Sequence, residues 1–212
     1  MAVVITVAQQ KGGAGKTTIA ANLAVALAMQ TGGNRVALLD ADPQKSLARW
    51  QSLRAQLGRT AVALDFIEVP GWRMGIELDR IARAHDVVVI DSPPQIDTDA
   101  RQAVRAAHLV LVPLQPSPPD LWAAEGTLKL AASERRPARL VLNRAPAGAK
   151  LRAAIEGEIA ARGLPVLAVA LGNRTAFASS FALGSSVLEA APRSLAAAEV
   201  AALAAEVAAL AR

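Results

Sequence analysis

The sequence predicts an α/β protein built on a doubly wound, mainly parallel sheet with helices on both faces. Two observations carry that expectation. Short apolar runs and longer Ala/Leu-rich segments alternate along the whole length, and that alternation builds parallel sheets. Runs such as Val36–Leu39 and Val87–Ile90 are apolar without interruption, which marks strands buried on both faces. Sheets of this kind take ligands at the carboxyl ends of their strands, so the loops leaving strands are the places to look for function.

Taken in order, Val3–Ala8 reads as the first strand and Lys16–Gln30 as the first helix, stopped by Thr31-Gly32-Gly33-Asn34. A strand follows over Val36–Leu39, a helix over Ser46–Leu57 and a strand over Leu64–Val69. Gly75–Ala84 is a short amphipathic helix with Ile76, Leu78 and Ile81 apolar. Val87–Ile90 is a strand, Asp99–Ala107 a helix and Leu109–Val112 a strand. Asp120–Ser133 is a helix with Asp120 expected as its N-cap. Arg139–Asn143 gives another strand, Lys150–Arg162 a helix, and Val166–Ala170 a last strand, about seven in all. Pro192–Arg212 closes the chain as a helix, with Leu195, Val200, Leu203, Val207 and Leu210 near helical spacing. A single domain over residues 1–212 is expected, since neither a linker nor a repeat interrupts the pattern.

A hydrophobic fraction of 53% is ample for a core, and no apolar run reaches the length of a membrane span. The chain opens directly on a strand, without a signal pattern, so a cytoplasmic protein is expected. Absence of cysteine excludes disulfides, thiolate metal sites and iron–sulfur clusters, and two histidines are too few to suggest a zinc site. Trp50, Trp72 and Trp122 are expected to pack rather than stack on a ligand. The net charge of +5 is unevenly placed. From Lys129 to Arg152, Lys129, Arg135, Arg136, Arg139, Arg144, Lys150 and Arg152 stand against Glu134 alone, 7 − 1 = +6. A one-sided basic region suggests an anionic partner, DNA before others, against a plainer reading as solvated surface.

The loop after the first strand is Gln9-Gln10-Lys11-Gly12-Gly13-Ala14-Gly15-Lys16-Thr17-Thr18. Strand, glycine loop and helix together make a phosphate cradle: the glycines let backbone N–H groups turn inward, and the helix dipole favours an anion. Gly12, Gly13, Ala14, Gly15, Lys16, Thr17 and Thr18 are therefore the expected nucleotide contacts. Lys16 supplies charge for the β- and γ-phosphates, and the Thr17 hydroxyl can ligand Mg²⁺. The usual glycine five residues before Gly15 is replaced by Gln10, and a second lysine, Lys11, stands at the start of the loop. The second strand ends in Asp40-Ala41-Asp42-Pro43-Gln44, two acids of which one can hold Mg²⁺ through water and the other position the attacking water. Val87–Ile90 ends in Asp91, a Walker B arrangement in which the acid accepts from Mg²⁺-bound water or from Thr17.

Lys-Gly-Gly-x-Gly-Lys-Thr is the deviant form of the Walker A motif, and with it the sequence resembles the ParA/MinD family of P-loop ATPases. The resemblance runs from the first strand to the final helix and is strongest over Ile5–Gln44, Val87–Pro94 and Leu109–Asp120. It implies ATP and ADP with Mg²⁺ as ligands, Asp42 as the acid needed for hydrolysis, and Asp40 near the metal. Asn143, at the end of its strand, matches the position that contacts adenine. Pro113-Leu114-Gln115-Pro116-Ser117-Pro118-Pro119-Asp120 resembles the proline-rich loop that lies at the dimer face, and Ser92–Asp99 would be the second switch.

The resemblance further implies a homodimer closed by ATP, in which Lys11 of one subunit reaches the phosphates held by the other. It implies non-specific DNA binding in the ATP state, nucleoid association, and hydrolysis stimulated by a cargo-bound activator, ParB-like or centromere-binding. Lys150, Arg152 and Arg174 are the expected DNA contacts, with Arg193 further on. A MinD-like membrane ATPase would need a basic amphipathic tail, but the last helix carries Glu199 and Glu206, so no membrane partner is expected. A dethiobiotin-synthetase-like ligase shares the fold and loop without a use for Lys11, and stays open as the other enzymatic class.

Overall fold

The computed structural model describes residues 2–30, 33–69, 73–94, 98–146 and 150–211. Its sheet comprises β1 (Val3–Val7), β2 (Val36–Asp40), β3 (Asp65–Glu68), β4 (Val87–Asp91), β5 (Leu109–Leu114) and β6 (Ala138–Leu142). They lie in the order β3-β2-β4-β1-β5-β6, and every pair is parallel. The connecting helices are α1 (Lys16–Ala28), α2 (Ser46–Ala55), α3 (Met74–Ala84), α4 (Thr98–Ala106), α5 (Pro118–Ser133) and α6 (Lys150–Ala161). Three more close the described chain: α7 (Thr175–Ala182), α8 (Val187–Ala190) and α9 (Leu195–Leu210).

The two-residue period of the strands sorts their apolar side chains between two layers. Ile5, Val7, Leu38, Val87 and Val89 meet α1, Leu47 and Trp50 of α2, and the buried stripe Val200, Leu203 and Val207 of α9. Val4, Ala37, Leu39, Val88 and Ile90 face the other way, against Met74, Leu78 and Ile81 of α3 and Ala103 of α4. Behind β5 and β6, α5 and α6 contribute Leu121, Ala124, Ile155 and Ile159. Helices on both faces follow from this sorting, as expected.

Several expectations change. Val166–Ala170 is not a seventh strand: only isolated parallel bridges, Leu140 with Val166 and Ala145 with Gly172, continue the sheet past β6. The Leu167 and Leu171 N–H groups still donate to the Leu140 (2.9 Å) and Leu142 (2.8 Å) carbonyls of β6, but between them the ladder is interrupted, because Glu206 of α9 accepts from the N–H groups of Ala168 (2.8 Å) and Val169 (3.0 Å). Glu199 likewise accepts from Gly172 (3.0 Å), so the two acids of α9 clamp this edge to the body of the protein. Helix α5 starts earlier than Asp120: Ser117 is the N-cap, and its hydroxyl accepts from the Asp120 N–H. Pro118 and Pro119 fill the first turn, where a missing N–H costs nothing. Pro113 belongs to β5, so of the four prolines only Pro116 lies in the connecting loop.

Helices α7 and α8 were not anticipated. A Ser186-to-Glu189 capping box does mark the start of α8. The basic window from Lys129 to Arg152 is not one-sided either. Lys129, Arg135, Arg136 and Arg139 stand at or before the amino end of β6, whereas Arg144, Lys150 and Arg152 follow its carboxyl end. Trp50 is buried against Phe181 as expected, but Trp122 is 62% exposed and packs on no core. Thr31 and Gly32 of the first turn, Trp72, and Gln95, Ile96 and Asp97 of the second switch lie outside the described residues.

Candidate nucleotide site

The carboxyl ends of β1, β2 and β4 bring the expected residues to one edge of the sheet. The register sets Val7 and Asp40 each opposite Asp91, so the phosphate loop and both acid-bearing turns start side by side. Gly12, Gly13, Gly15, Lys16, Thr17, Thr18, Asp42, Gln44 and Arg144 line one cleft of about 280 Å³. Beside it a second cleft of about 580 Å³ runs between Asn143, Asn173 and the α7 residues Phe177 and Phe181.

Glycine is required at position 15 for two reasons. Its φ is +95°, and a Cβ there would lie 2.3 Å from Nδ2 of Asn143. Asn143 itself donates to the Ala14 carbonyl (2.8 Å) and accepts from the Arg144 N–H (3.0 Å). Asn143 lines the second cleft, and its carboxamide keeps one donor and one acceptor beyond these two bonds, the pair that a purine's amino and N7 edge requires. Gln115 ties down the other side of the loop by donating to the Gly13 carbonyl (3.0 Å). Gln9 donates to the Pro113 carbonyl (3.0 Å). Gln10 lies over Gly126 of α5, where a Cβ would sit 2.1 Å from its amide nitrogen. The glycine inside that helix is thus the counterpart of the glutamine that replaced a loop glycine.

Lys16 is buried at the base of the cleft, and that burial lowers its pKa against the pull of Asp91 and Asp42. Asp91 is fully buried, and neither carboxylate oxygen completes a hydrogen bond with the described residues. Burial first, then Asp40 and Asp42, push its pKa to about 7 against the nearby Thr17 hydroxyl and Lys16. Two orphaned buried oxygens beside Thr17 and Asp42 fit a hydrated cation. Among the described residues no cluster of three or more acidic, histidine or cysteine side chains could hold a metal alone. That suits Mg²⁺, which keeps its waters and relies on one or two carboxylates plus the phosphates of its nucleotide.

Asp40 and Asp42 differ in their surroundings. Asp40 accepts from the N–H groups of Asp42 (3.0 Å) and Ala48 (2.9 Å), one on each oxygen, and so braces the turn into α2. Burial nevertheless raises its pKa. Asp42 accepts from the Gln44 N–H (2.9 Å) and faces the cleft.

Lys11 does not line the cleft at all. Its ammonium lies 2.5 Å from Oδ2 of Asp120, a buried acid that also accepts from the Ser117 hydroxyl and whose other oxygen has no described partner. Asp120 was expected only as a helix cap; its pairing with the loop lysine across 109 residues of sequence had no signal. Of the expected DNA contacts, Lys150 is exposed, Arg152 pairs with Glu156 (2.8 Å) and Arg174 with Glu199 (2.5 Å). Arg152 and Arg174 both lower the pKa of Glu199, so these residues share one region.

The Asp91 environment has a measurable consequence. Its pKa is higher folded than unfolded, so the native state holds the proton longer and stability falls as pH rises from about 4 to about 7. The loss is on the order of 4 kcal/mol as an upper figure, at 1.36 kcal/mol per unit. Urea unfolding without nucleotide or Mg²⁺ should show Asp91→Asn gaining on the wild type across that window and running parallel above it. A constant difference from pH 4 to 8 would contradict the assignment.

Residues 5–187 match the family described as the CobQ/CobB/MinD/ParA nucleotide binding domain. The chain is 31% identical over 201 residues to a maintenance of carboxysome distribution protein A from Halothiobacillus neapolitanus, covering 92% of this chain and 91% of that one. It is 32% identical to the chromosome partitioning protein ParA of Caulobacter vibrioides over 60% of each chain. The structure of a Cyanothece McdA variant in complex with ATP superposes with a TM-score of 0.79 at 16% identity, over 98% of this chain and 96% of that one. No described helix is long and apolar enough to cross a membrane.

Proposed function

The chain belongs to the CobQ/CobB/MinD/ParA nucleotide-binding family and is an ATPase working with ATP, ADP and Mg²⁺, and from that premise we propose that it positions cargo by an ATP-controlled dimer cycle. In this reading the ATP-bound chain pairs with a second copy, holds non-specific DNA of the nucleoid in the cytoplasm, and is released when a cargo-bound activator stimulates hydrolysis. The near full-length likeness to a carboxysome-distribution protein favours a large protein assembly over a DNA partition complex as the cargo.

The observation that carries the proposal is the place of Lys11. Held by Asp120 and absent from the cleft, it is a loop lysine that its own cradle does not use. A second copy supplies the reason for it: Lys11 leaves Asp120 to reach the phosphates of the partner, where extra positive charge stabilises the transferring group. Within one chain, Lys16 and the loop N–H groups hold the phosphates and Asn143 reads the adenine edge. Thr17, Asp91 and Asp40 serve Mg²⁺, the acids through water, and Asp42 orients the attacking water. Mg²⁺ held there would supply positive charge to the phosphates.

Lys150, Arg152 and Arg174 are the proposed DNA contacts, and their position at the nucleotide end of the sheet lets ATP-driven pairing join two such patches. Retention on DNA should then require ATP, fail with ADP or without nucleotide, and fall steeply with salt. Equal retention in all three states would sink the proposal. ATP-dependent retention untouched by charge removal at Lys150 and Arg152 would move the DNA surface elsewhere.

A further inference from the structure

We propose that Arg144 is a nucleotide-positioning residue whose guanidinium holds the α-phosphate, an inference that rests on the nucleotide reading of the site above. Asn143 and Ala145 are buried while Arg144 between them is exposed, with a φ of +51°. That left-handed conformation is unfavourable for a side chain with a Cβ and persists only where the surroundings over-determine it. They do so here. The Arg144 N–H donates to Asn143 Oδ1 (3.0 Å), the Asn143 N–H to the Leu114 carbonyl (2.8 Å), and the Ala145 N–H to the Leu171 carbonyl (2.9 Å). The chain is pinned on both sides of Arg144, and the strain stays at that one residue.

What the strained residue gains is its location. The phosphate cleft and the second cleft meet at four shared residues, Gly15, Thr18, Phe181 and Arg144. Arg144 alone of the four is charged. A nucleoside polyphosphate with its terminal phosphates over Lys16 and its base beside Asn143 must cross this neck with its 5′ end, the α-phosphate and ribose. Apart from Lys16, which lies under the terminal phosphates, the other cations near the two clefts are committed, Arg174 to Glu199 and Lys11 to Asp120. Arg144 has no carboxylate partner among the described residues, so its charge is free for the ligand. A guanidinium matches two phosphate oxygens at once, and such charge-assisted contacts are the strong ones.

The test separates this contact from a turn that is merely strained. Binding of ADP and of inorganic pyrophosphate is measured by calorimetry for the wild type, Arg144→Asn and Arg144→Gly, two substitutions that tolerate a positive φ. Pyrophosphate fills the cradle without reaching the neck. Both variants should weaken ADP by about tenfold or more and leave pyrophosphate within twofold, with Arg144→Lys recovering part of the loss. Lys16→Ala should weaken both ligands. Arg144 variants that bind ADP as the wild type does would overturn the proposal, leaving Arg144 a strained turn only. Equal weakening of ADP and pyrophosphate would overturn it in favour of the terminal phosphates. A wild type that binds neither ligand would overturn the nucleotide reading itself.

Discussion

Replacing Lys11 with alanine is expected to lower ATP turnover by about 10³-fold or more while ADP still binds, because in the proposed cycle cradle charge comes from Lys16 and the transition-state charge from the partner's loop. The variant has a second effect that must be separated from the first. Lys11 is the cation paired with Asp120, whose side chain is only 4% exposed, and removing it strands that acid beside a single hydroxyl. A buried acid without its partner is destabilising, here by about 1–3 kcal/mol since Lys11 itself is 41% exposed. Asp120→Asn in the Lys11→Ala background should restore the unfolding midpoint and leave turnover low. Recovery of turnover in the double variant would show that the lost activity came from the stranded acid, and would end the trans-lysine assignment. The single Asp120→Asn variant should free Lys11 and pair at lower ATP concentration.

The largest expected loss of stability belongs to Arg54→Ala. Arg54, on α2, donates to both oxygens of Glu189 (2.9 and 2.7 Å) and to the carbonyls of Gly184 (3.2 Å) and Val62 (2.6 Å). Its guanidinium also lies 4.9 Å above the Trp50 ring. Burial disfavours the Glu189 charge, but Arg54 and the N–H groups of Ser186 and Val62 outweigh it and hold the pKa at about 2. Breaking a buried pair by removing one partner costs about 3–5 kcal/mol. For a chain of this size the melting temperature should fall on the order of 10 °C. Replacing both residues with methionine should recover only the part due to the stranded charge, because the Gly184 and Val62 carbonyls and the Ser186 and Val62 N–H groups then lose their partners. A shift below about 2 °C for the single change would refute the account. The contribution is present above pH 4.5 and lost as pH falls toward 2, opposite in sense to that of Asp91.

The same pair links the two halves of the candidate site. Helix α2 begins just after the Asp42 turn, and α7 carries Phe181 on the neck of the nucleotide cleft. Gly184, between α7 and α8, has a φ of +69°, and a Cβ there would lie 2.2 Å from the Arg54 backbone nitrogen. None of this is visible in the sequence. Arg54 reads as one more arginine on a helix, and the stretch from 171 to 191 carries no strong periodicity. Its helices are set by contacts to α1 and α2, such as the Val187 N–H donating to Asn22 (2.9 Å).

The sequence by itself determined the alternation of strands and helices, the parallel sheet, and the loop, Asp40, Asp42 and Asp91 as neighbours at one edge. Those features rest on local rules: apolar runs buried on both faces, glycines where φ turns positive, and acids at the ends of strands. Only the tertiary structure decided which polar side chains meet. Lys11 pairs with Asp120 and Arg54 with Glu189 across more than a hundred residues each, and the acids of α9 anchor the edge beyond β6. Such pairs leave no periodic trace, because a charge finds its partner through the packing of whole helices and not through its place in the chain.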